Sequence, residues 1–150
     1  MNKGNKVKLG ITILVLLLVV GGFFGFKSLA GGQKGDKTII LTIKDDANKK
    51  TIIENKKYKT DAANLGDFLA QYKDELKVDL QDSKYGRFIA GVQGIKTEDM
   101  NKGPWWMYGY NSPSQNKTMK IGEAPGADQL GLFDKDEITL VFTNNMTVGN

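Results

Sequence analysis

The chain has 150 residues, a formal net charge of +4, no cysteine and no histidine. Without these two residue types there are no disulfides, no zinc sites built from Cys or His, and no nucleophile activated by an imidazole base. Four of the 21 basic residues and none of the 17 acidic residues lie within residues 1–30. Residues 31–150 are therefore neutral and lack the positive excess that nucleic-acid binding requires.

The N-terminal part of the sequence predicts a membrane anchor. Residues 9–26 hold no charged side chain, and as a helix they would extend ~27 Å, enough to cross a hydrocarbon core. Residues 1–8 carry more lysines than the residues just after the span. This asymmetry places the short basic segment in the cytoplasm and the C-terminal part outside the cell, as in a single-pass protein of the cell membrane. The small residues Ser28 and Ala30 leave a second interpretation open, a secreted protein cleaved after Ala30.

The rest of the chain divides into a linker at 27–37, one domain at 38–143 and a short tail at 144–150. Two strands, Thr38 to Ile43 and Lys50 to Tyr58, are rich in β-branched residues and predict a hairpin. The acidic turn residues between them, and those before the last strand, could offer oxygen atoms to calcium. Because both turns lack the spacing of a calcium loop, solvated turns are the better interpretation.

One soluble helix follows the hairpin. Its apolar residues recur at helical spacing and form one stripe, namely Leu65, Phe68, Leu69, Tyr72 and Leu76. Asn64 is placed to cap the helix, with Asp67 near the positive end of the helix dipole. We expect this stripe to belong to the core.

The second half of the domain contains strands and one long polar segment. Strands are predicted at residues 78–80, 87–92, 105–111 and 137–143, and residues 112–129 are predicted to be a loop. Several strands with a single helix indicate an α+β fold, with the helix across one face of a mixed or antiparallel sheet.

The predicted strand at 105–111 is unusual because it is apolar and aromatic on both faces. Alternation along a strand puts Trp105 and Met107 on one face and Trp106, Tyr108 and Tyr110 on the other. Either a second layer covers both faces, or one face binds a flat apolar molecule. Asn111 closes the aromatic run, where it can orient a polar group of a ligand or simply form the turn.

Four segments in this order resemble the transcobalamin-like C-terminal domain family of bacterial cell-surface domains. They are Asn64-Leu65-Gly66-Asp67-Phe68-Leu69, Tyr85-Gly86-Arg87-Phe88-Ile89 leading to Val92-Gln93-Gly94-Ile95, Trp105-Trp106-Met107-Tyr108-Gly109-Tyr110-Asn111, and Gly131-Leu132-Phe133-Asp134-Lys135-Asp136-Glu137-Ile138-Thr139. The family is similar to the smaller domain of the animal cobalamin carriers transcobalamin and intrinsic factor. The resemblance covers about residues 38–143.

This resemblance implies a small β-grasp-like domain on the outer cell surface that captures a corrinoid such as cobalamin. It places the ligand site on the aromatic strand, at Trp105, Trp106, Met107 and Tyr108, and the residue pattern adds Tyr110 and Asn111 to the predicted site. We expect no required cofactor, no metal ion and no catalytic residue. The helical partner domain of the carriers is absent from this sequence, so a second binding protein or an uptake transporter would complete the site. A structural or adhesive module that binds other proteins is the alternative. A surface-polysaccharide enzyme is less favoured, because no acid–base pair is evident.

Overall fold

The computed structural model describes residues 35–145. The predicted membrane span at residues 9–26 and the cleavage point after Ala30 lie outside this part of the chain. Within residues 35–145, no helix is both long and apolar enough to cross a membrane.

The described part is an α+β domain dominated by strands, as the sequence predicted. Its elements in chain order are β1 (Lys37–Asp45), β2 (Lys50–Thr60), α1 (Leu65–Gln71), α2 (Lys73–Leu76), β3 (Asp79–Ser83), β4 (Gly86–Val92), β5 (Ile95–Lys96), β6 (Trp105–Ser112), β7 (Lys117–Met119), a 3-10 helix (Ala127–Gln129) and β8 (Asp136–Thr143).

The strands form two sheets, whereas the sequence predicted one. The larger sheet has the order β2-β1-β8-β6-β7, and the smaller one has the order β3-β4-β5. Strands β1 and β8 pair in parallel and the other neighbours pair antiparallel, so the larger sheet is mixed. The first and last strands of the domain therefore lie side by side in the middle of this sheet.

The core lies between one face of the larger sheet and the helical layer. Strand β1 alternates, and its inward residues Ile39, Leu41 and Ile43 are fully buried. They belong to the same cluster as Leu65 and Phe68 of α1. Each such side chain contributes about 1.5–3 kcal/mol by leaving water, which is what holds the helix on the sheet.

The predicted cap is confirmed, but the helix is shorter than expected. Asn64 Oδ1 accepts a hydrogen bond of 2.8 Å from the Asp67 amide. The α1 helix ends at Gln71, and α2 begins at Lys73 after a break at Tyr72. Tyr72 packs against Tyr58 and its hydroxyl donates to the Lys59 carbonyl. These contacts with β2 hold Tyr72 at the position where the helix is interrupted.

The prediction of one long loop from Ser112 to Gln129 was wrong. After a turn in which the Asn116 amide donates to the Pro113 carbonyl, the chain returns as β7 and pairs with Tyr110–Ser112 of β6. Asn116 has a φ of 51°, a backbone conformation that asparagine tolerates better than most residues. Residues 117–119 therefore complete a short hairpin at the end of the larger sheet.

Candidate functional site

The N-terminal half of β6 has an open edge. On one side, β8 pairs with β6 from Trp105 to Asn111. On the other side, β7 reaches only Tyr110 to Ser112. Among the residues that the structure describes, no strand covers this outer edge between Trp105 and Gly109. Side chains from both faces of β6 can therefore border the space beyond the edge.

A cleft of about 320 Å³ occupies this space. Residues 105–108 of β6 form one wall, residues 83–89 of β4 and the turn before it form another, and Thr97, Met100, Gly122, Ala124 and Gly126 complete the lining. Tyr85 and Met100 lie on this lining, and they are the two large hydrophobic side chains that residues 35–145 leave exposed, at 75% and 54%. Single exposed apolar residues are common, but two at one concavity indicate a binding surface.

The two tryptophans play different parts in the wall. Trp106 is only 5% exposed, its ring packs against Phe142 at a centroid distance of 5.1 Å, and its Nε1 donates to the Ile95 carbonyl at 2.8 Å. Trp105 is half-buried, and its Nε1 donates to the Met100 carbonyl at 2.8 Å. Trp106 is therefore mainly a core residue, whereas Trp105 is held rigidly with part of its indole open to the cleft.

Tyr108 closes one side of the cleft. Its hydroxyl donates to the Pro125 carbonyl at 2.6 Å, which ties the segment 122–126 to β6. Burial raises the pKa of Tyr108 to about 12, and the negative charge of Asp128 acts in the same direction. The ring is thus neutral and fixed at ordinary pH.

A buried charge cluster adjoins the cleft through Arg87, which is one of the lining residues. Arg87 Nη2 lies 2.6 Å from Asp67 Oδ1, and Arg87 Nε donates to Asp128 Oδ1 at 2.8 Å. Burial alone would lower the pKa of Arg87, but the hydrogen bonds to Asp128 and Asp67 raise it. Gly66 packs so closely on Asp128 that a Cβ would collide with the carboxylate. Two carboxylates on one guanidinium leave the Asp67–Arg87–Asp128 cluster with a net charge of −1.

The structure brings together four of the six residues that the sequence proposed for the site. Trp105, Trp106, Met107 and Tyr108 line the cleft although alternation puts them on two faces of β6, because the cleft lies beyond the open edge of the strand. The other two residues of the set, Tyr110 and Asn111, lie elsewhere.

Tyr110 is buried, and its hydroxyl donates to Asp136 Oδ2 at 2.6 Å, so its pKa is raised by burial and by this carboxylate. Asn111 donates to Glu137 and accepts a hydrogen bond of 2.8 Å from Thr118. Asn111 borders a second, shallower depression of about 420 Å³ on the outer face of the larger sheet. The side chains of Asn111, Glu137 and Thr118 are hydrogen-bonded to one another. This depression therefore offers a ligand fewer hydrogen-bonding partners than the cleft does.

Sequence reasoning missed three participants, Tyr85, Arg87 and Met100. A basic residue inside an otherwise apolar strand segment, as Arg87 is, signals a buried ion pair, because a charge is buried only when it is paired. Nothing local identified Asp67 and Asp128 as its partners, which lie 20 and 41 residues away along the chain. The acidic turns considered for calcium serve the backbone: Asp45 accepts from the Asn48 amide, and Asp134 accepts from the Thr38 amide. Among residues 35–145 no group of three acidic side chains converges as a metal site.

Comparison with known proteins gives a likeness of fold. No protein-family model matches the chain, and neither does any curated protein. A crystal structure from Ruminococcus gnavus, named a "putative metal binding protein", is 24% identical in sequence with a TM-score of 0.52. The match covers 73% of this chain and 98% of that one. The domain of this chain is thus similar in fold to nearly all of that chain, and the likeness extends to the fold alone.

Proposed function

We propose that this protein is a membrane-anchored extracellular domain that binds a small, largely apolar molecule in the cleft beside β6, without catalysing a reaction. One observation carries this proposal. The fixed, half-buried indole of Trp105 lines a concavity whose rim holds Tyr85 and Met100, the two exposed large hydrophobic residues of the described part. An aromatic wall that is already held in place loses little entropy on binding.

The size of the cleft limits what it holds. Its volume of about 320 Å³ is at the lower end of the range for small-molecule sites. A compact molecule would fill it, whereas a corrinoid, the ligand that the resemblance implies, would be held at one edge only. A second binding protein or an uptake transporter would cover the other side of a corrinoid.

A non-catalytic role fits the chemistry of the lining. The carboxylates of Asp67 and Asp128 are both engaged by Arg87, which leaves neither as a free acid or base. The phenol of Tyr108 has a pKa of about 12, far from the value that proton transfer at neutral pH needs.

A structural or adhesive module is the second candidate, and the burial of Trp106 favours it. Three of the eight residues of β6 are buried, and Tyr85 with Met100 would then contact a partner protein, since tyrosine and methionine are enriched at interfaces. The two candidates differ in whether a small molecule saturates the cleft.

Calorimetric titration of the full chain in a maltoside detergent, with cobalamin and with cobinamide, tests the corrinoid form of the proposal. Trp105→Ala is the informative variant, because truncation of the buried Trp106 would damage the core. We expect saturable heat that weakens in Trp105→Ala and persists in Asn111→Ala, which alters the second depression. Absence of heat at high micromolar corrinoid would reject corrinoids and put the interaction module first.

A further inference from the structure

The charges of the domain are separated between its two ends. The β1–β2 hairpin, residues 37–60, carries seven lysines and three acidic residues and forms the edge of the larger sheet opposite to β7. The three segments that border the cleft, residues 83–89, 97–108 and 122–129, carry four acidic and three basic residues, and the buried Asp67 adds a fifth acidic group. The segments that border the cleft, counted with Asp67, therefore have a net charge of −2, against +4 for the hairpin.

Negative charge also reaches the aromatic lining directly. The Asp67–Arg87–Asp128 cluster holds one carboxylate more than its single guanidinium can neutralise. Asp128 is the charged group that helps to raise the pKa of Tyr108 across the cleft. An anionic ligand would enter against this field, and a cation would enter with it.

An aromatic ring at the rim already holds a cation in this structure. The Lys84 Nζ lies over the Tyr85 ring, 5.0 Å from its centroid, within the distance at which a ring face attracts a positive charge. Tyr85 lines the same cleft as Trp105 and Tyr108. Several electron-rich rings around one space, with excess negative charge nearby, match the way proteins recognise quaternary ammonium groups.

We propose that the cleft binds a cationic group of the quaternary-ammonium class, held against Trp105, Tyr85 and Tyr108 beside the negatively charged Asp67–Arg87–Asp128 cluster. The inference rests on the proposed function, because it names the ligand class for the same cleft. A cation-binding cleft differs from a purely apolar one in one measurable respect: it prefers a charged group to a neutral group of the same shape.

The test compares choline with 3,3-dimethylbutan-1-ol, which has the same shape but a carbon in place of the charged nitrogen. The chain has two tryptophans, so the ¹⁵N-labelled full chain in maltoside detergent gives two indole N–H signals, which the variant Trp105→Leu assigns. We expect choline to shift the Trp105 signal and the neutral compound to bind about tenfold more weakly. Equal affinity of the two compounds would overturn the inference and leave the proposed function standing.

Three variants sharpen the result: two change exposed side chains, and the third removes a charge from the ion pair with Arg87 and is measured where circular dichroism shows that the domain is folded. Tyr85→Leu removes an exposed ring and should weaken choline binding several-fold. Lys84→Met removes the competing cation and should strengthen it. Asp128→Asn should weaken choline binding. Asp74→Asn makes an equal charge change on the exposed surface of α2 and should leave choline binding unchanged.

The failures are distinguishable. A corrinoid that binds while choline does not would overturn the cationic class alone. If neither corrinoids nor either of the two small probes moves the Trp105 signal, the proposed function falls together with the inference. An increase in affinity in Lys84→Met supports the inference specifically, because the loss of a surface lysine has no reason to improve a purely apolar site.

Discussion

Two groups of aromatic residues serve opposite purposes in this domain. In the first, Tyr58, Phe68 and Tyr72 contact one another between β2 and α1, with centroid distances of 4.9 to 5.9 Å. In the second, Trp105 and Tyr108 border a cleft, and each donates a hydrogen bond to a backbone carbonyl. The first group encloses no space, whereas the second surrounds one.

The two groups differ in the contacts that stabilise each ring. Phe68 is fully buried and gains its stability from apolar contact with neighbouring rings. Trp105 keeps part of its surface open, and the bond to the Met100 carbonyl holds it in position. Aromatic content alone therefore does not identify a site; Trp105 and Tyr108 differ from the first group because their rings line an open cleft.

The largest loss of stability should come from a substitution in the first group. Phe68→Ala removes a fully buried ring and should lower the free energy of unfolding by about 3–5 kcal/mol, from lost transfer energy and from the cavity that remains. Denaturant unfolding measures the change, with wild type as reference. A loss as small as that of an exposed substitution would mean that the first group is not the core of the domain.

A substitution in the Asp67–Arg87–Asp128 cluster should lower the stability almost as much, although the cluster adjoins the cleft. Arg87→Met leaves Asp67 and Asp128 without their shared cation in a buried environment, and should cost about 3–5 kcal/mol of unfolding free energy. Lys56→Met breaks an exposed pair with Glu75, whose side chains are 54% and 49% accessible, and should change the stability little. Equal losses in the two variants would show that the cluster is not a buried ion system.

The sequence predicted the first group well because its signals are local. The helical spacing of Leu65, Phe68 and Leu69 and the cap at Asn64 are properties of a few consecutive residues, and the structure confirms both. The break at Tyr72 was not predicted. The sequence also identified Trp105 and Tyr108 through the density of aromatics in one strand. The cleft itself depends on where β7 stops pairing with β6, on two separate sheets and on ion partners far apart in the chain, which no local pattern encodes.

Alkaline pH should reveal the burial of Tyr108 in the second group. Its pKa is about 12 in the folded domain against 10.0 for a free tyrosine, so between these values the unfolded chain loses the proton and the folded domain keeps it. The stability contributed by the neutral phenol is complete below pH 10 and falls as the pH rises towards 12. Between the two pKa values, the free energy of unfolding of Tyr108→Phe should therefore fall by about 1–2 kcal/mol less than that of wild type. Equal pH slopes in unfolding experiments would contradict the burial of this hydroxyl.

The smallest effect on stability, and the clearest on binding, should come from Trp105→Leu. The indole is half-buried, and leucine retains part of the apolar contact, so we expect a loss of about 1 kcal/mol or less in unfolding free energy. Choline or corrinoid binding should nevertheless fall below detection, because the open ring face is the surface that the ligand contacts. Phe68→Ala, under conditions where it stays folded, should show the reverse, with reduced stability and unchanged affinity. A Trp105→Leu protein that binds normally would mean that Trp105, like the first group, serves packing alone, and the contrast between the two groups would disappear.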